Sequence, residues 1–111
     1  MATDLSTLAG PAATKRITMD ASAGNAEEVT LPAWASAVLI KVRDAGGTDT
    51  TGSYSYAGTD GAAIGNDVMP IDTTGAVIYV RANPGEANLR TVYLASDSAG
   101  GYAHVAILEA Q

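Results

Sequence analysis

The stretch Tyr102-Ala103-His104-Val105-Ala106-Ile107-Leu108 decides the fold. Successive side chains of an extended strand point to opposite faces, so Ala103, Val105 and Ile107 fall on one side and Tyr102, His104, Ala106 and Leu108 on the other. Three more bursts share its length and its β-branched or aromatic content: Val38-Leu39-Ile40-Lys41-Val42, Ala76-Val77-Ile78-Tyr79-Val80 and Leu89-Arg90-Thr91-Val92-Tyr93-Leu94. Gly, Asp, Asn, Ser or Thr separates each from the next, the pattern of an all-β domain. Ala62 to Gly65 is a place for a helical turn to begin, and it is too short to stand alone between two glycines.

Outward from these bursts, the chain reads as about eight strands: Arg16 to Asp20, Glu27 to Leu31, Ser36 to Arg43, Gly52 to Ala57, Asp67 to Ile71, Ala76 to Ala82, Leu89 to Ala95 and Tyr102 to Glu109. The connections carry turn chemistry, as in Asp44-Ala45-Gly46-Gly47, Asn83-Pro84-Gly85 and Ser98-Ala99-Gly100-Gly101. The expected architecture is an antiparallel β-sandwich, most simply a jelly roll. Alternation predicts that Val38, Ile40 and Val42 face the core. The opposite face is less polar than a solvated one: Val77, Tyr79 and Arg81 join the outer residues of the last strand. The expectation is that another chain or a loop covers one sheet.

Residues 1–15 read differently, as small and polar residues punctuated by Gly10-Pro11, with Leu5 and Leu8 as the apolar anchors. Ordering such a segment costs about 1–2 kcal/mol per residue in backbone entropy, against about 1.5–3 kcal/mol for each leucine fully buried. The division expected is therefore a flexible N-terminal arm over 1–15 and a β-sandwich domain over 16–111. The two leucines, spaced i, i+3, are candidates for docking on a neighbouring subunit; an ordinary frayed terminus is the other reading.

Composition removes whole classes of function. At 111 residues there is room for one domain. Without Phe or Cys, a thin Val, Ile, Leu and Tyr core must suffice unless a partner subunit adds buried area, and thiolate or Cys-zinc chemistry is excluded. A net charge of −6 disfavours nucleic acid and anionic membrane as partners. The six basic residues fall as two local pairs, Lys15-Arg16 and Lys41/Arg43, and two singletons, Arg81 and Arg90, which reads as solvated strand positions. No secretion signal and no membrane span is expected from the residues given.

Candidate chemistry is sparse. His104 is the one histidine, placed in strand alternation with no acid at metal-ligand spacing. Ser96-Asp97-Ser98 puts hydroxyls beside a carboxylate but lacks the Gly-x-Ser-x-Gly elbow, and a turn is the simpler account. Asp44 to Asp49, with Thr59-Asp60-Gly61 and Asn66-Asp67, offers oxygen ligands without the Asp-x-Asp-x-Asp-Gly pattern of a calcium loop. No catalytic, metal or cofactor site is therefore assigned. Trp34, after Pro32, closes the end of the core or anchors an interface. Tyr54 and Tyr56 share a strand face, as an aromatic platform or as cross-strand packing.

The segments Val29-Thr30-Leu31-Pro32-Ala33-Trp34-Ala35, Ala57-Gly58-Thr59-Asp60-Gly61-Ala62-Ala63-Ile64-Gly65 and Val92-Tyr93-Leu94-Ala95-Ser96 resemble small jelly-roll capsid decoration, or cement, proteins of tailed bacteriophages. The resemblance covers about Arg16 to Glu109 in style and carries no binding residue over one by one. It implies a non-enzymatic virion protein, assembled in the host cytoplasm and placed on the capsid exterior, that binds between major capsid protein subunits as a homo-oligomer, a trimer by family habit. No cofactor is implied. Interaction candidates are Leu5, Leu8, Trp34, Tyr79, Tyr93 and Tyr102. The alternative is a carbohydrate-binding β-sandwich module of a tail fibre or an enzyme, using Trp34, Tyr54 and Tyr56 as stacking surfaces.

Overall fold

Ten strands form two sheets in the computed structural model, which describes residues 2–22, 25–56, 68–80 and 91–109. They are β1 (Ala2–Asp4), β2 (Ala12–Thr18), β3 (Glu27–Thr30), β4 (Ala37–Arg43), β5 (Asp49–Thr50), β6 (Gly52–Ser55), β7 (Met69–Ile71), β8 (Ala76–Tyr79), β9 (Thr91–Ser96) and β10 (Tyr102–Leu108). No helix occurs among the described residues. Each of the eight strand segments expected from the sequence overlaps one of these strands, although β2 begins four residues before Arg16 and β9 ends one residue beyond Ala95; β1 and β5 are additional.

The first sheet runs β1-β3-β9-β6-β7. The second runs β2-β10-β4, and the far edge of β4 is shared: β8 pairs with its first half, Ala37 to Ile40, and β5 with its last two residues. All pairings are antiparallel except β1 with β3, which is parallel. Leaving β1 and β5 aside, the pairs are nested. The outermost strands β2 and β10 pair, then β3 with β9, β4 with β8, and β6 with β7.

The inner faces enclose one aliphatic core. From the second sheet come Ile17, Val38, Ile40, Val42, Ile78, Ala103, Val105 and Ile107, and from the first Val29, Ile71, Val92 and Leu94. These are the positions that alternation assigns inward, so a one-residue slip would turn the whole set to solvent. Gly101 leads into β10 where the chains crowd: a Cβ there would lie 2.2 Å from the Arg43 carbonyl oxygen, so only glycine lets β10 start this close to β4.

The segment 1–15, expected as a flexible arm, lies against the domain in the structure. Ala2–Asp4 is an edge strand, Leu5 sits in the core at 6% exposure, and Leu8 packs against the core from the side. The boundary expected after residue 15 falls inside β2. Three long-range hydrogen bonds offset the ordering entropy of this segment. Leu5 N–H donates to the Thr30 carbonyl, Thr3 Oγ1 donates to the buried Glu27 carboxylate, and the Trp34 indole donates to the Leu8 carbonyl at 2.8 Å.

Candidate functional site: the outer face of the second sheet

Cross-strand register turns the outer residues of β2, β10, β4 and β8 into four rows. The first is Ala12, Leu108, Ala37 and Tyr79; the second is Thr14, Ala106, Leu39 and Val77. Arg16, His104 and Lys41 make the third row, and Thr18, Tyr102, Arg43 and Asp49 the fourth. The face therefore changes across about 20 Å, three steps of two residues each, from apolar to cationic.

The apolar half is exposed. Leu108 and Leu39 keep 41% and 42% of their surface, Val77 49% and Tyr79 74%. Scattered surface leucines need no account, but these four are contiguous by register. A groove of about 660 Å³ runs over the centre of the face, floored by Leu39, Val77 and Ala106 and flanked by Arg16, Lys41 and His104.

Local chemistry fixes the cationic half. The Arg16 guanidinium stands over the Tyr102 ring at 4.7 Å, a cation–π contact that holds its long side chain against the sheet. Lys41 Nζ lies 3.1 Å and Arg43 Nε 3.5 Å from the Asp49 carboxylate. Asp49 is held by the turn before it, where the Asp44 carboxylate accepts the Gly46 and Thr48 N–H groups. Among the described residues Arg16 has no carboxylate partner, and His104 lies open between the two cations.

The interaction candidates are thus scattered. Tyr79 and Tyr102 belong to this face, at opposite corners. Tyr93 lies on the other sheet, opposite Glu28 and Ser55. Leu5 is interior; Leu8 and Trp34 close the end of the core, with the indole ring against Gly10, where an added Cβ would lie 2.8 Å from it. Sequence alone gives Arg16 and Lys41 as solvated strand positions and His104 as a lone strand histidine. Parity placed Lys41 and His104 outward, but only the pairing of both β2 and β4 with β10 sets them in one row with Arg16.

The other candidates resolve into structure. Ser98 N–H donates to Ser96 Oγ and Thr51 Oγ1 to Asp97, which is a turn tied to β6. Among the described residues no group of three acids or histidines stands ready for a metal; Asp60, Asn66 and Asp67 lie outside them. Tyr54 and Tyr56 meet edge to face, 6.0 Å apart at 83°. The Tyr56 hydroxyl donates to the Tyr79 carbonyl at 2.5 Å, and burial, with Tyr54 beside it, pushes this phenol up from its ordinary value. That geometry joins the two sheets and does not make a flat platform.

Compared with known proteins, the chain matches no family model, no curated protein and no solved structure.

Proposed function

We propose that the chain is a non-enzymatic structural protein of a virion, which decorates and stabilises a tailed-phage capsid from outside by binding as an oligomer between major capsid protein subunits. The scaffold in this reading is a jelly roll. Its support is the nested pairing of eight strands, first with last and so inward to the β6–β7 pair, which is the order of two interlocked Greek keys. β1 and β5 are additions at the edges.

The observation that carries the reading is the outer face of the second sheet. Four exposed apolar side chains lie contiguously on a domain whose core contains no Phe. Completing their burial against a partner contributes about 1 kcal/mol each, and repetition over many shell sites multiplies weak contacts into firm attachment. The arrangement needs no reacting group, and the reading assigns none. The edge-to-face geometry of Tyr54 and Tyr56 favours it over a sugar-stacking module.

The test is sedimentation with shells assembled from the major capsid protein encoded with this chain. Co-sedimentation at a fixed ratio, with a raised melting temperature of the shells, is the expected result. A chain that stays in the supernatant overturns capsid attachment, and a monomer by light scattering overturns the oligomer.

A further inference from the structure

The charge on the second sheet runs against that of the molecule. The chain carries −6 overall, yet the outer face of this sheet holds Arg16, Lys41 and Arg43, with Asp49 as the one carboxylate in its strands. Asp49 is already shared between Lys41 and Arg43. Among the described residues no carboxylate pairs with Arg16 or His104, and both are exposed at the border of an apolar strip.

We propose that this face is the docking site for an acidic, apolar segment of another polypeptide. Carboxylates of the segment pair with Arg16 and Lys41 and accept from His104, while its apolar side chains lie over Leu39, Val77 and Ala106. The inference rests on the attachment reading and names the partner's chemistry: on a capsid, an acidic surface segment of the shell subunit.

Three observations select this occupant. Complementarity asks for negative charge, and charges so arranged set specificity and association rate. A second copy of the same face brings cations against cations, since Asp49 is the one carboxylate in these strands. An anionic bilayer would meet the field of the whole acidic molecule, whereas a segment meets only the groove. The groove itself is open and shallow across four strands, which suits a chain laid along it better than an enclosed small molecule.

The experiment uses the full chain and three short fluorescein-labelled peptides: one alternating Asp and Val, one alternating Lys and Val, and one alternating Asp and Ser. Anisotropy should rise with the first peptide alone, and added salt should weaken that binding. Arg16→Glu with Lys41→Glu should weaken it by about tenfold or more, two partly exposed pairs being exchanged for two repulsions. Asp49→Asn should strengthen it about two- to fivefold by freeing Lys41 and Arg43, a change of sign that damage to folding cannot mimic. Leu39→Ser tests the apolar strip without altering charge and should also weaken it.

Equal binding of the Asp–Val and Lys–Val peptides, indifference to the charge reversals, or weaker binding by Asp49→Asn overturns the proposal. So does tighter binding to phosphatidylglycerol vesicles than to the Asp–Val peptide, or self-association through this face that the reversals leave intact. Shell sedimentation of the same variants separates the two readings. Shells bound equally by the wild type and the double reversal retain attachment and refute this site. Peptide binding without shell binding retains the site and refutes the capsid.

Discussion

Ile107 and Leu108 are neighbours in β10, both aliphatic, and their surroundings differ completely: Ile107 is fully buried and Leu108 is 41% exposed. The same contrast runs through β4, where Val38 and Ile40 are interior and Leu39 between them is open. What separates the two sets is parity alone. One face of the second sheet supplies the aliphatic mass that the fold needs, and the other carries apolar surface that the isolated fold leaves unburied. In a domain this small, that surplus is a reason to look outward for a partner.

Truncating both sides of β10 sharpens the contrast most. Ile107→Ala should cost about 2–5 kcal/mol by urea denaturation, because it opens a cavity among side chains from both sheets. Leu108→Ala should cost less than about 1 kcal/mol, since much of that side chain is already in water. Equal losses would mean that the outer face is packed by something in the protein itself.

The inner face of the first sheet contains an exception to its own rule. Glu27 is 1% exposed; one carboxylate oxygen accepts from Thr3 Oγ1 and the other has no partner among the described residues. Thr3→Val keeps the shape and removes that donor, so it should destabilise by about 1–3 kcal/mol. Combining it with Glu27→Leu should restore most of the loss, because no polar group is then stranded. If the double variant is as unstable as the single one, β1 is held by something other than this pair.

On the outer face, Leu39→Ser with Val77→Ser should change folding stability by less than about 1 kcal/mol while abolishing co-sedimentation with shells. A large loss of stability would convert these side chains from interaction surface into structure and remove the basis of the attachment reading.

Much of the fold was legible because parity is a local property. Val38, Ile40, Val42, Ala103, Val105 and Ile107 could be assigned inward from their own strands, and turn residues such as Gly46-Gly47 located the reversals. The N-terminal strand was not legible. Ala2-Thr3-Asp4 has no strand character of its own, and what holds it, the Glu27 carboxylate and the Thr30 carbonyl, lies over twenty residues away. The cationic row was hidden for a related reason. Arg16, Lys41 and His104 are far apart in sequence and meet only through two independent registers with β10. Long-range pairing decides both features, and single-strand patterns do not record it.

Asp4, beyond Thr3 on the same short strand, gives the finest test of how firmly that segment is set. Hydrogen bonds from Ser6, side chain first and backbone second, hold its carboxyl below the ordinary carboxylate value, and the Ser6 N–H donates to Oδ1 at 2.9 Å. A depressed folded-state pKa favours the charged form in the fold. The contribution is therefore present above the unfolded value, about 3.9, and is lost as pH falls through the lower folded one. The side chain is exposed, so the effect belongs to the turn more than to global stability. NMR titration should place the Asp4 midpoint below the ordinary range with the Ser6 amide moving in step, and Ser6→Ala should raise the midpoint part of the way back. An unshifted midpoint that ignores Ser6→Ala would show that the turn from Asp4 to Ser6 at the end of β1 does not persist in solution. The segment would then behave as a terminus and not as part of the first sheet.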